Sequence, residues 1–107
     1  MTIEEHTALN DYDLNLKFKG EVIYKSDDHT LLGADDKRVS LSLGVTVYRT
    51  EGGHTVVERA DRREGEDVHI VSEVTGCSES LCRFIGNNQI TRAICDILRW
   101  KNFRLIQ

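Results

Sequence analysis

The stretch Val39-Ser40-Leu41-Ser42-Leu43-Gly44-Val45-Thr46-Val47 decides the fold. Every odd position is a branched apolar residue and every even one is small or polar, the pattern of a β-strand with one buried face. Register then places the next strand. With Glu51-Gly52-Gly53 as the loop, Val47 falls opposite Val57 and Tyr48 opposite Val56. With only Gly52-Gly53 turning, Val47 would face Glu58 and Arg49 would face Val56. A slip of one residue reverses the buried face, so the apolar pattern selects the first loop. A left-handed glycine suits its last position. Arg59 then shares a face with Val57, so that face must open to solvent or the strand must bulge. Beyond the charged loop 61–67, Val68, Ile70 and Val74 mark a third strand over 68–74, which completes a meander.

Toward the N-terminus, Leu14, Leu16 and Phe18 alternate with polar residues, and Val22 and Tyr24 resume the same parity after Gly20. This reads as one strand, bulged or bent at the glycine. Residues 25–29 form a polar turn, 30–33 a short return strand and 35–37 a second turn. Thr2 and Glu5 have the spacing of a capping box, so residues 1–12 are expected as a short helix or a frayed arm.

Toward the C-terminus the period becomes helical. Ser78 is the expected N-cap, Leu81, Phe84 and Ile85 form a stripe, and Gly86 stops the helix. Asn87-Asn88 opens a second helix with Ile90, Ala93, Ile94, Ile97 and Leu98 on its apolar side. Thr91, Arg92, Cys95, Asp96 and Arg99 lie opposite, giving two helices within residues 78–101. The expected fold class is therefore α+β: an antiparallel β-meander of about five strands over residues 14–74, with a C-terminal helical hairpin packed on one face. Its inner layer is Leu41, Leu43, Val45, Val47, Val57, Ile70, Leu81, Phe84, Ile94, Ile97 and Leu98.

The composition suits a single domain spanning residues 1–107: 39% of residues are hydrophobic and 30% charged, enough for one core under a polar surface. There is no proline to interrupt an element or blunt a sheet edge. No apolar run approaches the roughly 20 residues of a membrane span, and the acidic N-terminus is unlike a signal peptide. Three cysteines without framework spacing point to reduced thiols and a cytoplasmic location. Net charge is −6 over residues 1–36, −1 over 37–74 and +3 over 75–107, an acidic front and a basic back.

Four constellations merit chemical tests. The two helices around Gly86 resemble the spacing of a DNA-reading helix-turn-helix, with Arg92, Arg99 and Lys101 as the cations offered to nucleic acid. Asn87 stands where an apolar turn residue usually packs, Asp96 opposes phosphate, and the rest of the chain is acidic. Cys77, Cys82, Cys95 and His69 contain one zinc-like pair without a conventional second, so no metal is assigned. Cys77 with His69 forms a conceivable nucleophile and base, but no oxyanion hole or nucleophile motif accompanies them, so no catalytic residue is named. The acidic clusters Asp27-Asp28 and Asp35-Asp36 lack calcium-loop spacing and read as solvated turns or a docking face.

The leading reading is a small acidic, non-enzymatic protein-binding regulator or inhibitor, contacting another protein through Asp27, Asp28, Asp35 and Asp36 and using no cofactor. Small accessory proteins of phages and mobile elements share this profile. The alternative is a nucleic-acid-binding regulator using the basic C-terminal helix. A third reading is a small thiol-dependent enzyme or redox protein. Open sheet edges also favour a homodimer through an edge strand or the C-terminal helices.

Overall fold

In the computed structural model, which describes residues 3–31, 41–63, 67–86 and 89–100, five strands precede two helices. The strands are β1 (Glu4–Ala8), β2 (Leu16–Leu31), β3 (Leu41–Thr50), β4 (Thr55–Arg63) and β5 (His69–Thr75). They form one antiparallel sheet in the order β1-β2-β3-β4-β5. The helices α1 (Ser78–Ile85) and α2 (Gln89–Leu98) follow. This is the α+β meander with a helical pair that the residue periodicities predict.

The central register is the expected one: Val47 pairs with Val57 and Tyr48 with Val56. The Gly53 N–H donates to the Thr50 carbonyl at 2.9 Å and the Thr50 N–H to the His54 carbonyl at 2.8 Å. These bonds close the loop around Glu51-Gly52-Gly53. Gly53 has φ +85°, the left-handed value that a side chain resists.

The N-terminal third departs from expectation. Residues 4–8 are not helical; they are the edge strand β1, pairing His6 with Phe18 and Ala8 with Leu16. Glu5, the supposed capping partner, instead forms an ion pair with Lys17 across β1 and β2 at 3.1 Å. The polar residues 25–29 do not turn the chain. They lie inside one strand of 16 residues, which absorbs them through register shifts between Val22 and Tyr24 and between Ser26 and His29. Each shift inserts one residue and reverses which side chains face a given layer. Val22 is consequently opposite Tyr48 while Tyr24 is opposite Val47, on different faces of the sheet. The count of five strands therefore holds with different members.

Two apolar clusters result. Under the helices, Leu43, Val45, Val47 and Val57 pack with Leu81, Ile85, Ile90, Ile94 and Cys95. Each such side chain contributes about 1.5–3 kcal/mol when fully buried. On the other face, Ala8, Tyr48 and Val56 are buried with Leu16 and Phe18 against them. The His6, Phe18 and Tyr48 rings lie 4.9–5.9 Å apart, tilted or edge-on. Both faces are thus apolar here, because the sheet curls β1 and β2 over Tyr48.

Two members of the expected inner layer change place. The pairing of Val57 with Glu73 and Ala60 with Ile70 puts Ile70 on the Tyr48 face, not with Val57. Ile97 is 46% exposed, because α2 is rotated to bury Ile90, Thr91, Ile94 and Cys95. The Leu41 side chain lies outside the described residues. Arg59 does share the Val57 face, yet neither predicted escape occurs: α1 covers it. Its Nη1 donates to the Phe84 carbonyl, its guanidinium sits 4.8 Å from the Phe84 ring centre, and Nε lies 2.8 Å from Asp61 Oδ2. The last contact is an ion pair without an aligned hydrogen bond, and among the described residues Asp61 Oδ1 has no hydrogen-bond partner.

The helix ends are set locally. Cys77, not Ser78, is the N-cap of α1, and Leu81 N–H donates to its carbonyl at 3.1 Å. Gly86 stops α1 at φ +88°, and its N–H donates to the Cys82 carbonyl at 2.7 Å. At the end of α2, Arg99 takes φ +57°, so that Trp100 N–H reaches the Cys95 carbonyl and Arg99 N–H the Asp96 carbonyl. This Schellman arrangement swings Trp100 back onto the core beside Leu98. No helix among the described residues is long and apolar enough to cross a membrane.

Candidate functional site

The loop 9–15, between β1 and β2, does more than connect them. It crosses the curled sheet to β4 and β5, where polar side chains fix it residue by residue. Leu9 N–H donates to Glu58 Oε2 at 2.8 Å, and Asn10 Nδ2 donates to the Ser72 carbonyl at 3.0 Å. Asp11 doubles as a strand: its N–H donates to the Ile70 carbonyl, and its Oδ2 accepts from the Ile70 N–H, both at 2.7 Å. Within the loop, Asn15 Oδ1 accepts from Asn10 N–H, and Asn10 Oδ1 from Tyr12 N–H. The Tyr12 hydroxyl shares a hydrogen bond with His69 Nδ1 at 3.1 Å while the two rings stack.

This scaffold turns apolar groups outward. Tyr12 is 72% exposed and Leu14 83%, and Leu9 and Val68 are also exposed. Single exposed apolar residues are ordinary, but several on one hydrogen-bonded loop are not. Exposed Asp11, Asp13 and Asp67 accompany them, giving the patch an acidic rim. On the inner side, burial first and the Glu58 carboxylate second raise the Tyr48 phenol above its ordinary value. The sequence hides this loop because an Asn-Asp-rich segment reads as an arm; its hydrogen-bond partners lie some sixty residues away.

The acidic residues singled out from the sequence are not assembled into a described site. Asp27 and Asp28 belong to β2, a strand and not a turn, and their side chains are outside the described residues. Asp35 and Asp36 lie wholly outside them, as does Lys101. Arg92 and Arg99 are exposed on and just after α2. Thr91 and Cys95, expected beside them, are buried, and Thr91 Oγ1 donates to the Gly86 carbonyl. A groove-reading face on this helix is thereby reduced to Arg92, Asp96 and Arg99.

The thiols separate equally clearly. His69 begins β5 and Cys77 follows its end, roughly 20 Å away along an extended strand, so they do not form a nucleophile and base. Among the described residues no three His, Cys, Asp or Glu side chains group as metal ligands. Cys95 is buried, not on an exposed polar face, and burial pushes its thiol up. Cys77 is exposed at the N-cap, where the Ser80 hydroxyl, through its side-chain hydrogen bond, holds the thiol below its ordinary value. More thiolate at neutral pH means faster attack. In native protein at pH 7, iodoacetamide should therefore alkylate Cys77 first and Cys95 only on unfolding, as followed by peptide mass spectrometry; equal rates at the two would contradict the arrangement. No family model, curated protein or solved structure matches the chain.

Proposed function

We propose that this protein is a non-enzymatic binding module that docks on another protein, as a regulator or inhibitor, through the loop 9–15 and the adjoining start of β5. The observation that carries the reading is the combination of rigidity and exposure. Tyr12 and Leu14 stand in solvent on a loop fixed to β4 and β5 by side-chain and backbone bonds. Binding costs free energy for every loop and side chain that must be ordered, and a prefixed loop avoids much of that cost. Tyrosine in particular supplies large contact area with few rotatable bonds. The acidic rim and the acidic front of the sequence select a partner with a basic margin around an apolar recess.

The test is capture of the partner from the native host, then titration of the purified pair. The double substitution Tyr12→Ala and Leu14→Ala should weaken binding at least about 30-fold, since each hot-spot truncation costs more than about 1 kcal/mol. Circular dichroism should remain unchanged. Charge reversal at Asp27, Asp28, Asp35 and Asp36 examines the rival acidic surface. If only that reversal weakens binding, the docking face is there and not on the loop.

A further inference from the structure

At the opposite end of the sheet from loop 61–67, a recess of about 400 Å³ opens between the β3–β4 turn and the end of α2. Its floor is set by register. Arg49 pairs with Thr55 and Thr55 with Thr75, so the three side chains form one row across β3, β4 and β5 on the helix-facing side. Leu98 and Trp100 form the apolar wall, and His54 joins Arg49 at the rim. The Schellman turn at Arg99 is what brings the indole here.

Three properties of this recess call for an occupant. Thr75 is 2% exposed, and its Oγ1 is buried without a hydrogen-bond partner among the described residues, an arrangement that costs about 1–3 kcal/mol. Arg49 has no ion-pair partner among the described residues, on a chain whose net charge is −4. The volume lies within the range of small-molecule sites.

We infer that this recess binds a small organic anion with a flat apolar body, its charge on Arg49 and its body against Trp100. Arg49 holds the anion through charge-assisted hydrogen bonds, and the threonine row supplies hydroxyl donors behind it. The site lies apart from loop 9–15 and does not depend on the docking role proposed for that loop.

Trp100 is the one tryptophan of the chain, so its fluorescence reports on the recess directly. The full-length protein is titrated at low salt with phenylacetate, and with phenylacetamide as the uncharged equivalent. Phenylacetate should quench saturably with Kd below about 1 mM, and the amide should bind at least about tenfold more weakly. Arg49→Gln, at an exposed position, should weaken phenylacetate about tenfold and leave the amide unchanged. Thr75→Val should weaken phenylacetate without lowering the melting temperature, because the hydroxyl it removes is unpartnered in the free protein. Absence of saturable quenching, equal binding of the amide, or indifference to Arg49→Gln would each overturn the inference.

Discussion

Gly20→Ala should cost about 3 kcal/mol of stability, at the upper end of what overpacking usually costs. A Cβ built on Gly20 would lie 2.3 Å from the Arg49 carbonyl oxygen and 2.9 Å from the Thr50 Cα. Both are backbone atoms of the strand paired with it, so no side-chain rotation relieves the clash. Gly20 also accepts a hydrogen bond on its carbonyl from His6 Nε2 at 3.2 Å, so a shift of this backbone disturbs β1 as well. Urea titration should show a lower midpoint with little change in slope. Gly76→Ala is the control: nothing lies within 4 Å of its added Cβ, and its effect should stay within about 0.5 kcal/mol.

Arg59→Ala should be comparably damaging, at about 3 kcal/mol, for a different reason. The arginine is the polar link between β4 and α1, and its loss removes the bond to the Phe84 carbonyl and the contact with the Phe84 ring. It also strands Asp61, whose side chain is only 26% exposed, without its cation. Removing one member of a largely buried pair costs more than the pair itself is worth. The double substitution Arg59→Met with Asp61→Leu should therefore recover most of the stability lost in Arg59→Ala. Failure of that recovery in thermal and urea unfolding would show that the Phe84 carbonyl bond dominates and the ion pair is incidental.

These two positions also show where sequence is legible. Val47 opposite Val57 can be derived because both strands alternate cleanly and the intervening loop ends in a glycine. Gly20 stands out as special, but not as a point of close backbone approach, because that depends on the Thr50 end of a distant strand. Arg59 falls on the correct face, yet its hydrogen bond to a helix carbonyl leaves no trace in local pattern. The longest strand is hidden because two bulges make its polar middle resemble a turn. Likewise β1 is disguised, since its pairing with β2 overrides the weak helical start suggested by Thr2 and Glu5. In α2 the alternatives are two overlapping stripes. The helix buries the one containing Thr91 and Cys95, whose side chains are small enough to fit beneath the hairpin, and turns Ile97 outward. The fixing of loop 9–15 is illegible for a further reason: what distinguishes Tyr12 from any other exposed tyrosine is His69, far along the chain.

The tie between Asp11 and Ile70 has a consequence for assembly. Strand-by-strand growth of a filament needs two available borders, one to receive and one to offer. On β5 both backbone groups of Ile70 are already engaged by Asp11, and the Ser72 carbonyl is engaged by Asn10. The border at β1 has no such seal among the described residues. At Ile70, β5 offers no free backbone group to a further strand, and the Asn10-Asp11 clasp protects that part of the edge against strand addition.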